Sequence, residues 1–443
     1  VVLYLLASIC IGLYAATRVK TTSDYAIAGR SLPLAVIIAT TFATWFGSET
    51  VLGIPSKFIE GGLQKTVEDP IGAGMCLVLV GMFFARKLYK MDLLTIGDFY
   101  RKRYGKGVEI FSSIVILISY LGWVAAQVTA LGLVFNLLSV GAISVATGMV
   151  IGTLVVLVYT LFGGMWSVAL TDFFQMIIIV VGLTLIAVFA ADHAGGVGTV
   201  VQYAQSRDLF QFFPDGGLHG WLFWIGAAIT IMIGSIPQQD VFQRVMSAKS
   251  ADVAVKGPII GGISYMLFAG VPMFIGLSAF LIMPDVANSL LEEDSRKILP
   301  TLVMEHMPVW LQVFFFGALL SAIMSTASAT LLAPSTTFVS ARPGAASLAL
   351  GAGLPEPQPR ISPIEIATTN RRHEGVMVTS SRGCDRGILQ QPRLTAAITL
   401  PCGHSSPGPG NHRSSPAHGA PRPVCPGERS AFAPQGPSSR PCW

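Results

Sequence analysis

Apolar residues in this chain come in long blocks, with neither the alternation of exposed strands nor the narrow stripes of surface helices. Nine blocks occupy roughly residues 1–17, 33–56, 70–86, 109–138, 143–162, 168–191, 218–238, 258–283 and 306–337. About 20 apolar residues suffice to cross the hydrocarbon layer as a helix, so the pattern predicts nine membrane helices. The second block breaks the rule it follows. Its stretch Ile37–Gly53, IIATTFATWFGSETVLG, sets Gly47, three hydroxyl residues and Glu49 in the middle of a span. Facing lipid, those groups would be penalised. Two readings are open: a discontinuous helix whose freed carbonyls line an internal ion or solute site, or a continuous helix that buries one polar stripe.

Three further stretches are polar out of place. In the ninth block, Gly317–Thr330 is dense in small and hydroxyl residues, and Ala322, Ser325 and Thr326 fall at i, i+3, i+4 on one helix face. Two hydroxyls and a helix carbonyl make half a shell for a hard cation, which takes oxygen ligands; close helix packing through small residues is the alternative. The seventh block ends Gly234-Ser-Ile-Pro-Gln-Gln-Asp240, where Pro237 removes a backbone donor and marks a break or a helix exit. Tyr159–Gln175 holds a Gly163-Gly164 turn between two spans, after which Thr171 and Asp172 open the next helix as cap-type residues.

Composition agrees with the pattern. The 443 residues are 52% apolar and 12% charged, with mean hydropathy +0.62, against about a quarter charged in soluble domains. No phosphate loop, metal-spaced His/Cys cluster or nucleophile elbow is present, so no enzyme activity, catalytic residue or resident cofactor is expected. Cys10 and Cys76 sit in apolar blocks and read as small core residues. Alternate loops differ in charge. Residues 18–32, 86–106 and 239–257 hold thirteen Lys and Arg, while the opposite side has Lys57, Lys65, Arg207, Arg296 and Lys297. The positive-inside rule makes the basic side cytoplasmic and puts the N-terminus outside. The chain starts at Val1 without Met, so the true N-terminus is expected to lie further upstream, and no cleaved signal peptide is expected.

Character changes after Ser340. Residues 341–443 form a Pro/Arg/Ser-rich tail with eleven Arg and no Lys, disordered by composition. Such a composition also arises when a GC-rich gene is read out of frame, so a frameshift near residue 341 is expected, with a genuine regulatory tail as the alternative. The +5 formal charge is a property of this tail, since residues 1–340 carry 18 bases and 19 acids. No aromatic residues interleave its arginines, and nucleic acid is not expected as a partner.

The Gly-Gly turn resembles the diagnostic stretch of the sodium/solute symporter family through Tyr159, Thr160, Gly163, Gly164, Ser167, Val168, Thr171, Asp172 and Gln175. Further matches stand in order: Asp24, Tyr25, Gly29, Arg30, Ser31, Leu32, Gly53, Pro55, Gly97, Asp98, Phe99, Tyr100, Gln243, Arg244, Met324, Ser325 and Thr326. The resemblance covers about residues 1–340. It implies an all-α, polytopic membrane protein with a five-plus-five inverted-repeat transporter fold behind one extra N-terminal helix. The second repeat would then be truncated, because only eight blocks follow the extra one. A sodium site is implied at the carbonyls of Ala43, Phe46 and Ala322 and the hydroxyls of Ser325 and Thr326, with Asp172 near a sodium path.

The solute is less well marked. Ala43-Thr44-Trp45 and Ile236–Val245 are similar to the choline-carrier-like branch, with proline carriers next, and Trp45 and Trp123 match two aromatic positions that enclose a quaternary ammonium. Gln238 stands where that branch has tryptophan, Ala73 replaces another aromatic, and Glu49 adds an acid. Trp45, Gly47, Glu49, Trp123 and Gln238 are thus the candidate solute residues. The expectation is sodium-coupled import of a small organic solute by alternating access, in a bacterial-type inner membrane. Sodium, solute and the lipid bilayer are the implied partners, and no protein partner is implied. A solute-sensing or regulatory module without transport and a truncated, inactive symporter are the alternatives.

Overall fold

The computed structural model describes residues 2–341, and every regular element among them is helical. The principal helices are α1 (Val2–Ala16), α2 (Leu34–Trp45), α3 (Glu49–Lys65), α4 (Val67–Lys90), α5 (Lys106–Leu138), α6 (Val145–His193), α7 (Gly217–Gly234), α8 (Gln239–Ser247), α9 (Ala251–Ile282) and α10 (Val309–Ala341). Six of them are long and apolar enough to cross a membrane, against the nine expected; α2 and α3 pass the same test only as a pair, bent by 56°, and α1, at 15 residues, is shorter than a span. Their outer faces carry Phe111, Leu121, Phe162 and Phe223, all exposed, as lipid-facing helices require. Apart from Ala341, the expected 341–443 tail lies outside the described residues.

Helix α6 has 49 residues, about 74 Å if straight, roughly two and a half times the thickness of a bilayer core. It is not straight. Gly164 takes φ 49°, ψ −139° and turns the chain back on itself. Gly12 of α1 measures the fold-back: a β-carbon there would lie 2.4 Å from Tyr159 Cβ and 2.6 Å from Ser167 Oγ. In a straight helix those two residues are about 12 Å apart. The two halves therefore correspond to the predicted blocks 143–162 and 168–191.

One expectation fails here. Thr171 and Asp172 do not cap a helix start; Thr171 Oγ1 donates back to the Ser167 and Val168 carbonyls at 2.9 and 3.0 Å. Asp172 sits within the turn-following half of α6, fully buried. The glycine turn is tight enough for the helix to restart immediately after it, seven residues before the acid. Cys10 also departs from expectation, because it is exposed while Cys76 is buried.

Loops assigned to one side meet one another. Arg30 pairs with Asp92 and donates to the Tyr89 carbonyl, Arg86 pairs with Asp252 at 2.6 Å, and Leu32 bridges the backbone at Ala248. On the other side Leu63 N donates to Leu209 O at 2.8 Å. The 239–257 segment is not simply a loop, however. Its first half is α8, buried at every residue from Gln239 to Ser247, and Arg244 is 2% exposed. Pro237 thus marks a break between α7 and α8 inside the bundle, and Arg244 is a core residue instead of a loop charge.

Close approach at the α6 turn depends on the missing β-carbon. An added one at Gly164 would lie 2.4 Å from the Tyr25 carbonyl oxygen on a backbone that L-residues avoid. Gly164→Ala is expected to lower the thermal midpoint in detergent by about 3–10 °C, from roughly 1–3 kcal/mol of strain. Gly107→Ala, where a β-carbon meets open space, is the control and is expected to leave the midpoint unchanged.

Candidate functional site

Phe46 leaves the helical region at φ −87°, ψ 69°, so the α2–α3 span is discontinuous. Polar groups freed by such a break have no water to turn to, and several of them here have a specific partner. Phe46 N still donates to Phe42 O at 3.0 Å. Ser48 N donates to Gln127 Oε1 at 3.2 Å, while Gln127 Nε2 donates to both Glu49 carboxylate oxygens at 2.7 and 2.8 Å. Thr50 Oγ1 covers the Trp45 carbonyl at 3.2 Å and meets Tyr265 Oη at 3.1 Å; Tyr265 in turn donates to Asp69. The Phe46 ring itself packs, stacked on Phe42 at 5.0 Å.

The small-residue face of α10 is pressed against this break. Ala322, Ser325 and Thr326 are fully buried, as are Ala43 and Phe46. Thr326 Oγ1 donates to Ala43 O at 3.5 Å. Gly47 is the point of contact: a β-carbon there would stand 2.7 Å from Thr326 Oγ1 and 2.8 Å from Glu49 Oε2. Ser325 Oγ donates to Asp172 Oδ1 at 2.6 Å, and Thr40 Oγ1 donates to Oδ2 at 2.5 Å. Three helices thus bring carbonyl, hydroxyl and carboxylate oxygens to one buried place. That donor set suits a hard cation such as sodium, since sulfur and imidazole are missing from it.

On the other side of the break stands an aromatic group. Trp45 and Trp123 meet edge to face at 6.0 Å, and Tyr120 lies 5.9 Å from Trp123. Both Trp45 and Tyr120 turn their polar ends to Asp240, Trp45 Nε1 at 3.1 Å from Oδ2 and Tyr120 Oη bonding Oδ1. Arg244 bonds the Asp240 carbonyl at 2.8 Å and Thr44 Oγ1 at 2.5 Å, so the two helix breaks are tied together by side chains. Gln238 occupies the second break, half-buried, with its Oε1 sequestered and unpartnered.

Sequence reasoning missed Asp240, Arg244, Tyr120 and Gln127. The signal for the first two was available: an acid and a base at i, i+4 directly after Pro237. Their polarity made the segment read as a loop. Tyr120 and Gln127 carried no signal, being single polar residues in a long apolar block.

Comparisons with known proteins agree with this geometry. The sodium:solute symporter family model matches residues 25–341. The chain is 28% identical over 354 residues to the human high affinity choline transporter 1, covering 76% of this chain and 60% of that protein. It is 29% identical over 342 residues to the Bacillus subtilis high-affinity proline transporter PutP, covering 74% and 70%. The chain therefore spans about 60% of the length of the choline transporters it matches. Among solved structures, a Na+-coupled sialic acid symporter in a substrate-bound outward-open state aligns with TM-score 0.67 at 23% identity, over 76% of this chain and 71% of that one, a likeness of fold. With its signature turn, its broken span and a family model matched from Tyr25 to Ala341, the chain belongs to the sodium:solute symporter family.

Proposed function

We propose that the protein couples sodium entry to import of a small organic solute by alternating access, in an inner membrane with its basic loops cytoplasmic and its N-terminus outside. In this reading α1 is an extra helix, and the broken spans α2–α3 and α7–α8 open the two inverted repeats. Sodium is held by the carbonyls of Ala43, Phe46 and Ala322 and the hydroxyls of Ser325 and Thr326, with Asp172 on its path. The observation that supports this most directly is the seating of Thr326 on the Ala43 carbonyl at the helix break.

The solute lies beside Trp45, Gly47, Glu49, Trp123 and Gln238. Ring faces and a carboxylate suit a solute that carries an ammonium group, which choline and proline, the solutes in the relatives' names, both have. One sodium charge moving down 100 mV supplies about 2.3 kcal/mol. At about 1.4 kcal/mol per tenfold, that supports roughly fiftyfold accumulation.

Uptake of labelled choline and labelled proline into proteoliposomes tests the coupling. An inward sodium gradient is expected to drive accumulation of at least one, and an equal potassium gradient is expected to drive none. Equal uptake under both gradients would overturn the reading. Ser325→Ala and Thr326→Ala are each expected to raise the sodium concentration for half-maximal uptake tenfold or more.

The break itself gives a second test. Gly47→Ala pushes a methyl between Thr326 and Glu49 and is expected to abolish sodium-dependent uptake while the protein stays monodisperse. Trp45→Phe leaves a buried Asp240 oxygen without its donor, at about 1–3 kcal/mol. It is expected to weaken solute uptake and lower the thermal midpoint, with the half-saturating sodium concentration unchanged within twofold.

A further inference from the structure

Resting on the sodium reading above, we propose that Tyr159 is a positioning residue for the sodium ledge and sets its affinity from the side of α10 away from the ion. Its phenol is fully buried, and Tyr159 Oη donates to the Met324 carbonyl at 3.2 Å. Met324 lies between Ala322 and Ser325, two of the proposed ligand positions. At 100° per residue, Ser321, Met324 and Ser328 centre on a face about 120° around the helix from Ala322, Ser325 and Thr326. Tyr159 therefore touches the ligand turn without entering the oxygen cluster.

The back face is held by other helices at two points, and a bond within α10 adds to them. Tyr159 bonds Met324. Tyr4 Oη of α1 shares a hydrogen bond with Ser321 Oγ at 2.8 Å, and Gln175 Nε2 reaches the same phenol at 3.4 Å. Ser328 Oγ donates to the Ser325 carbonyl at 2.8 Å. What seats Tyr159 is Gly12 of α1, where a β-carbon would overlap Tyr159 Cβ at 2.4 Å. Helix α1 supplies no proposed sodium ligand, yet it backs the tyrosine that steadies the ledge. Ion sites need ligands fixed to a few tenths of an ångström by groups behind them. A carbonyl pinned on the far side fixes the rotation of the turn that carries Ser325 and Thr326.

Stabilisation of the purified full chain by sodium chloride, with potassium chloride as the reference, tests this. The wild type is expected to show a saturable rise in thermal midpoint with sodium. Tyr159→Phe is expected to keep its midpoint in potassium within about a degree and to need three- to tenfold more sodium for half the effect. A structural role alone would lower both curves together and leave half-saturation unmoved. That result overturns the proposal, as does a half-saturation equal to wild type. Should Tyr159→Phe give no monodisperse protein, Gly12→Ala, which displaces the same ring, is expected to show the same rise, and an unmoved value overturns the proposal equally. Thr326→Ala separates the two ideas. A half-saturating sodium concentration left unchanged by Thr326→Ala removes the site reading itself, whereas a rise of tenfold or more in Thr326→Ala with no change in Tyr159→Phe removes only the role of Tyr159.

Discussion

A backbone that stops being a helix inside a bilayer must find polar partners within the protein, and the break after Trp45 sets that requirement for everything around it. Water is not there to take the freed groups, and each one left unmet costs several kcal/mol. Gln127 from α5 takes the Ser48 amide, Thr50 takes the Trp45 carbonyl, and Thr326 from α10 reaches the Ala43 carbonyl. Gln127 is in turn oriented by Glu49. The carboxylate that looked anomalous in a membrane span thus has a structural task whatever else it binds. Most of the break's partners come from helices far apart in sequence.

Buried charge follows the same logic. Asp172, Asp240 and Arg244 are almost wholly shielded from solvent, where an unsatisfied ion is very unfavourable. None of the three forms an ion pair among the described residues. Asp172 is met by Ser325 and Thr40, Asp240 by Trp45 and Tyr120, and Arg244 by a carbonyl and Thr44. Neutral hydrogen bonds leave net charge in place.

Close helix approach makes these bonds possible. Gly148 lies against Gly132 and Phe135, Gly152 against Leu131, and Gly182 against Ala318 and the Phe314 carbonyl. In lipid, helices associate through such small-residue contacts, since apolar burial gives them no advantage over acyl chains. Between α6 and α10 the Gly182 contact sets the spacing at which Asp172 can meet Ser325. Packing and site geometry are one constraint there.

Much of this was legible in order along the chain. Apolar block length fixes membrane helices because the bilayer has one thickness. The Ile37–Gly53 anomaly marks a span that must either break or bury a polar stripe, because lipid tolerates no free polar groups, and the Tyr159–Gln175 signature names the family. What sequence could not decide is partnership. That Arg244 would bond Thr44, that Tyr120 and Trp45 would share Asp240, and that Thr171 would lie within a helix instead of capping it all depend on which helices meet. Spacing along one helix determines its faces, but only the tertiary structure brings a face from residue 326 to a carbonyl at residue 43, because that contact is made across more than 280 residues of intervening chain.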